Sequence, residues 1–169
     1  MLSSRSEVII RSAKVGDAAR LASVFRESWQ NAYAGLIPHA NLQNILQRRD
    51  AVWWRSQIRT GEPILVLEVA GKVGGYATAG IARSRGAYQG EIYELYLIPS
   101  FQGLGLGEYL FEACRFRLDS RRLKGLIVWA LVDNARAIDF YERRGGRPVA
   151  RVHERFGRAK LEKIALGWK

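Results

Sequence analysis

Residues 90–114 read GEIYELYLIPSFQGLGLGEYLFEAC, and three kinds of local structure follow one another within them. Apolar and aromatic residues run from Ile92 to Ile98 at the density of a strand, Pro99 and Ser100 stop them, and an amphipathic helical pattern runs on toward Cys114. Between strand and helix stand Gly103, Gly105 and Gly107. A backbone without Cβ atoms lets a ligand approach closely, and the free N–H groups of a first helical turn point outward with the positive end of the helix dipole. An anionic phosphate is the natural guest. Two better-known phosphate loops fail on spacing: the dinucleotide fingerprint needs a glycine where Glu108 stands, and the Gly-Lys-Ser/Thr of a P-loop occurs nowhere in the chain.

What remains is Gln102-x-x-Gly105-x-Gly107 between a strand ending in x-Pro and a helix. In this the chain resembles the GNAT superfamily of acetyl-CoA-dependent N-acetyltransferases, whose central motif is Gln/Arg-x-x-Gly-x-Gly/Ala in that setting. The resemblance implies that Gln102, Gly103, Leu104, Gly105, Leu106 and Gly107 cradle the cofactor's pyrophosphate, and that the backbone of Leu95 and Leu97 lies beside the thioester.

Length and composition agree with this. At 169 residues, 48% hydrophobic and 25% charged, the chain fits one globular domain spanning 1–169. It has no apolar run near ~18 residues and no signal-peptide core after Met1, so no membrane partner is expected and a cytoplasmic setting is the default. The single Cys114 cannot form an internal disulfide and falls on the apolar face of its helix, and His39 and His153 have no further ligand at metal-binding spacing. The net charge of +11 is uneven: residues 115–169 carry 15 Lys/Arg against 6 Asp/Glu, a surplus of 9. That surplus fits a solvated surface, a polyanionic cofactor or nucleic acid.

Read in order, the chain begins with a strand over Glu7–Ala13. A helix follows from Gly16-Asp17 to Gly35, with Leu21, Val24, Phe25, Trp29 and Tyr33 at helical spacing. Leu36-Ile37-Pro38 leads to one further helical region, broadly Ala40–Arg59. Strands are expected over Pro63–Ala70 and Val73–Arg83, with Gly74-Gly75 marking a bulge or a close backbone approach. After the central strand and helix come a strand Leu126–Leu131, a helix Ala135–Arg144, and a hairpin of Val149–Phe156 with Leu161–Trp168. Pattern alone gives a mixed α/β (α+β) domain. The GNAT resemblance adds a mixed sheet of about seven strands flanked by about four helices, with the central strand and Leu126–Leu131 as a parallel pair that splays apart for the cofactor's pantetheine arm.

Acetyl transfer calls for a deprotonated amine, a donor for the oxygen that gains charge, and a proton for the departing thiolate. A lysine-like amine with a pKa near ~10.4 is protonated at neutral pH, so a base helps. Strict alternation puts Glu91 on the face of Tyr93, Leu95 and Leu97, and Glu94 on the other. Glu91 stands eleven residues before Gln102, the offset at which histone-type GNAT members carry their base; a charge at a strand's exposed start explains it equally. The resemblance further assigns the Leu97 N–H to the oxyanion, Asn134 to the cofactor and Tyr141 to the departing thiolate, because Asn134-x6-Tyr141-x3-Gly145 matches a family segment. Ordinary alternatives are a helix N-cap for Asn134 and core packing for Tyr141. Trp29 and Tyr33, one above the other on their helix, belong to the region that lines the acceptor cleft.

The chain therefore reads as an N-acetyltransferase moving an acetyl group from acetyl-CoA to a primary amine by direct transfer. No metal is called for, nucleic acid is not the expected partner, and a homodimer is left open. A basic nucleic-acid-binding domain and a non-catalytic CoA-binding module are the alternatives; the first leaves the glycine loop unexplained, and the second needs no Glu91.

Overall fold

A computed structural model describes residues 7–169. Its seven-stranded sheet is built from β1 (Val8–Ser12), β2 (Leu65–Val69), β3 (Lys72–Ile81), β4 (Gly90–Leu97), β5 (Leu126–Leu131), β6 (Arg147–Phe156) and β7 (Ala159–Trp168), in the order β1-β2-β3-β4-β5-β7-β6. All neighbours are antiparallel except β4 and β5. This parallel pair is joined only at Gly90–Leu126, Glu91–Ile127 and Ile92–Val128. Beyond Ile92 the strands part, and the sheet has a gap at its centre.

The cause of the parting lies in β4 itself. Against β3, Thr78 pairs with Glu94 and Ala79 with Ile92, so Tyr93 is an extra residue with no partner. Such a bulge bends its strand and raises its twist, and it sits immediately after the last residue that β5 can reach. The bulge also overturns strict alternation. Ile92 and Leu95, three residues apart, both pack into the same apolar cluster, whereas Tyr96 and Ile98 pack into the other. Glu91 and Glu94 consequently share a face.

Five α-helices flank the sheet. On one face lie α1 (Ala18–Tyr33), α2 (His39–Arg48) and α3 (Ala51–Thr60); on the other lie α4 (Leu106–Ser120) and α5 (Ala135–Arg143). The helical region expected over Ala40–Arg59 is two helices. Arg49 leaves the helical conformation, and Asp50 starts a new helix by accepting the Trp53 N–H at 2.9 Å. The first face buries Leu21, Val24 and Phe25 of α1, Leu42 and Leu46 of α2 and Trp54 of α3 against Val66, Tyr76 and Ile98. The second buries Leu110, Phe111, Cys114 and Leu118 of α4 and Tyr141 of α5 against Leu67, Ala77, Ile92, Val128 and Leu166. Each fully buried side chain of this size contributes about 1.5–3 kcal/mol. Cys114 is a core residue, its thiol pushed up to about 12 by burial.

Gly74 and Gly75 meet both expectations. Gly74 is the extra residue opposite the Leu67/Glu68 step of β2, and a Cβ on either glycine would strike Phe101 or Leu97.

Candidate active site

The gap between β4 and β5 gathers the motif residues. In β4 the Ile98 N–H reaches back to Gly74 O at 2.9 Å, so residues 94, 96 and 98 spend their backbone groups on β3, while those of Leu95 and Leu97 point the other way. With β5 unpaired at that level, the Leu97 N–H points toward the gap with its direction fixed by the strand. The Leu97 carbonyl accepts from Gln102 Nε2 at 3.0 Å, and Gln102 Oε1 in turn accepts from Arg136 of α5. The motif glutamine is thus a strut that ties the loop to the strand end and to α5, and Arg136 is a part of the site that the sequence reading passed over. Its place two residues after Asn134 was the available signal.

The three loop glycines differ in their reasons. Gly103 and Gly105 have φ of +75° and +76°, and nothing lies within 4 Å of where a Cβ would stand. Gly105 is the N-cap residue of α4. A left-handed backbone with open space above a helix start is what a phosphate needs to meet the free N–H groups. Gly107 has another role: a Cβ there would lie 3.0 Å from the Phe140 ring, so its absence lets α5 close onto α4. Leu106 is buried beneath the loop and Leu104 is 68% exposed at its tip.

Across the gap, Asn134 caps α5 by accepting the Ala137 N–H at 3.4 Å. Tyr141 is buried, its ring among Phe111, Phe140 and Trp168. Its hydroxyl has no hydrogen-bond partner among the described residues and is not one of the fully enclosed unpaired atoms, so it keeps a small contact with solvent. Burial pushes this phenol well above its usual value, with further upward contributions from Cys114 and Tyr33. Tyr33 belongs to α1 on the other face of the sheet.

On the α1 side the Tyr33 and Tyr96 hydroxyls lie 2.5 Å apart, with Asn134 also acting on the Tyr33 phenol. Trp29 meets Tyr33 edge-on and Tyr96 at a tilt, with ring centroids 4.8 and 5.3 Å apart, and donates its indole N–H to the Tyr76 hydroxyl at 3.2 Å. That hydroxyl donates to Glu94, whose two oxygens also take Arg49 Nη1 at 2.6 and 2.9 Å. Arg49, from the break between α2 and α3, lies against the rings of Trp53 and Phe25 at 4.6 and 4.8 Å. This network closes the floor of the cleft beside α1. Glu94 and Tyr96 were legible as a strand face; Arg49 carried no local signal, because its partner is 45 residues away.

Glu91 lies elsewhere. It is 1% exposed at the paired end of β4, and Arg83 holds it through its backbone N–H at 3.0 Å and its guanidinium at 2.6 Å. At about 3.3 Å per residue, the six residues to Leu97 place it roughly 20 Å along the strand from that N–H. The exposed strand start expected for this position is a buried carboxylate held by a largely exposed arginine.

Among the described residues no group of His, Cys, Asp or Glu is arranged to hold a metal ion, and no helix is long and apolar enough to cross a membrane.

Residues 21–146 match the family model described as the acetyltransferase (GNAT) family. The chain is 28% identical over 162 residues to the uncharacterized N-acetyltransferase YuaI of Bacillus subtilis (strain 168), covering 95% of this chain and 92% of that protein. Among solved structures it is similar to the PaiA N-acetyltransferase from Thermoplasma acidophilum in complex with coenzyme A, with a TM-score of 0.74, 18% identity, and coverage of 94% and 98% of the two chains. It is also similar to YncA from Salmonella typhimurium with its cofactor acetyl-CoA, with a TM-score of 0.70, 24% identity, and coverage of 97% and 94%.

Proposed function

Given that the chain belongs to the GNAT family and is an acetyl-CoA-dependent N-acetyltransferase, we propose that it acetylates a primary amine by direct attack in the gap between β4 and β5. The observation that carries this reading is the outward Leu97 N–H beside a left-handed glycine loop and a free Tyr141 hydroxyl. The residues fit the cofactor: Gly103 and Gly105 leave space above the start of α4, and Leu104, Leu106 and Gly107 complete the turn. Gln102 ties the end of β4 to α5, Asn134 caps α5 on the far wall, and Leu95 and Leu97 offer backbone groups along the arm. Acetyl-CoA supplies the thioester.

In this scheme the amine enters from the side of Trp29 and Tyr33, a C–N bond forms to the acetyl carbon and the C–S bond breaks. The Leu97 N–H stabilises the oxygen that gains charge; a donor already oriented by its strand needs no reorganisation. Tyr141 gives its proton to the sulfur and regains one from water. The base is the part of the scheme that the geometry supports least in its expected form. Glu91 is enclosed and held by Arg83, so a proton from the amine reaches it only through a long chain of waters, and direct loss to water in the open cleft is the shorter route.

A cytoplasmic setting and a homodimer belong to the same proposal, and light scattering on the purified protein reads the second. The central test is saturable thermal stabilisation by acetyl-CoA at constant salt, followed by thiol release with a panel of amines. A protein that acetyl-CoA stabilises and that releases thiol only when an amine is added is the expected result. Stabilisation with no turnover on any amine leaves the non-catalytic CoA module; no stabilisation at all removes the proposal.

A further inference from the structure

The acceptor side of the site carries an unspent positive charge. One stripe of α2, with Asn41, Asn44 and Arg48 at helical spacing and Gln47 beside it, faces the turn of the β6–β7 hairpin across a groove of about 640 Å³. Glu154 and Arg155 line the opposite wall. At its floor the Asn41 amide presses against Gly157, 2.7 Å from where a Cβ would stand, and Gly157 has a φ of +62° that suits the hairpin turn. The groove adjoins the proposed reaction site: Phe156 and Ile45 on its walls pack into the same cluster as Tyr33 and Ile37, and Glu154 acts electrostatically on the Tyr33 phenol.

The ionic groups here do not cancel. The acid of the groove, Glu154, is paired with Lys163 at 3.0 Å. Arg49, the neighbour of Arg48, is turned inward and occupied by Glu94. Arg48 and Arg155 are exposed and have no acidic partner among the described residues. What faces an entering molecule is therefore two guanidinium groups and three side-chain amides, with no free carboxylate. Such a lining attracts and can hold a carboxylate by charge-assisted hydrogen bonds, and it repels a polycation.

Building on the acetyltransferase reading, we propose that the acceptor is the N-terminal amine of a short peptide, and that Arg48 and Arg155 select it through its C-terminal carboxylate, several residues away, while the amine reaches past Tyr33 to the gap. The two arginines touch the acceptor far from the reacting atoms, so they are specificity residues and take no part in the chemistry.

The experiment compares peptides of about three to five residues, long enough at about 3.3–3.6 Å per residue to span groove and gap, with their own C-terminal carboxamides, and with spermidine, in the thiol-release assay of the full chain. At low salt the acid is expected to exceed its amide in kcat/KM by about tenfold for each arginine engaged, the size of one charge-assisted contact. The preference shrinks as salt rises, since these groups are exposed. The double variant Arg48→Ala, Arg155→Ala should bring acid and amide within about threefold through KM, leaving kcat on the amide and the KM for acetyl-CoA unchanged. Equal use of acid and amide by the unaltered protein, a preference for spermidine, or a preference that survives the double substitution would each overturn the proposal. A titration with one such peptide followed by the NMR signals of the arginine Nε–H groups gives a readout without turnover. If no arginine signal of Arg48 or Arg155 moves while acetyl-CoA still stabilises the protein, the carboxylate proposal fails and the acetyltransferase reading stands.

Discussion

Tyr141 keeps its ring and its hydroxyl in different circumstances: the ring is packed among three aromatics, and the hydroxyl has no partner among the described residues. Tyr141→Phe therefore removes no protein hydrogen bond, and melting and acetyl-CoA affinity should stay as they are. Turnover at saturating acetyl-CoA should fall. General acids are typically worth about 10²–10⁴-fold, but a cysteine-like thiol with a pKa near ~8.5 leaves readily, so a loss near the low end of that range is expected. Burial raises the folded phenol above its usual value. The protonated, donating form then persists to higher pH, and turnover should show no alkaline fall from this residue up to about pH 10. Wild-type turnover in the Phe variant would leave Tyr141 as packing alone. Glu91 predicts the opposite pattern. Glu91→Gln breaks an ion pair with one buried and one largely exposed partner, and a cost of about 1–3 kcal/mol is expected in a urea melt. Turnover of the folded variant should stay within about tenfold; a loss of 10²-fold or more in kcat would restore Glu91 as the base.

At the scale of elements, the loop between β4 and α4 contains two functions written in one residue type. Gly105→Val forces a β-branched residue into the left-handed region, at a cost of about 1–2 kcal/mol, and points its side chain into the open space above α4. The variant should fold and lose stabilisation by acetyl-CoA. Gly107→Val instead drives a side chain into Phe140, and overpacking of this kind costs about 1–3 kcal/mol. Its principal defect should be a lower urea midpoint, with β-branching at the start of α4 a lesser part. Both variants examined by urea unfolding and by acetyl-CoA thermal shift separate the two roles; equal losses of stability would show that Gly105 is structural too.

For the molecule as a whole, the surplus of 9 positive charges after residue 114 is spread over several surfaces. Arg115, Arg122 and Lys124 lie at the end of the sheet where β4 and β5 are paired, Arg136 and Arg144 lie beside the glycine loop, and Arg151 and Lys163 are on the hairpin with acidic partners. These residues are divided among three separate places on the fold, which does not favour one continuous track for a phosphate backbone. Titration against duplex DNA and RNA should give only weak association, with Kd of about 10⁻⁴–10⁻⁶ M at physiological salt and a steep decline as salt rises. Tight binding selective for sequence at that salt would revive the nucleic-acid reading.

The elements themselves were determined locally and could be read from the chain. Leu126–Leu131 is a strand over those same residues, and α1 ends where Gly35 turns with a φ of +83°. Periodicity and turn chemistry act within a few residues, so they leave their mark in sequence. The motif Gln102-x-x-Gly105-x-Gly107 was legible for the same reason, as was the family that it indicates. Two things were settled only in three dimensions. The first is the face of Glu91, reversed because Tyr93 has no partner on β3; a bulge is a property of two strands in register and neither strand announces it alone. The second is where the charged side chains go. Arg49 closes on Glu94, Arg83 on Glu91, and Gln102 on Leu97 and Arg136, pairings that arise when distant segments are brought together and whose worth depends on the burial they find there. Which carboxylates are free for chemistry and which cations are left for a ligand is therefore a property of the folded molecule.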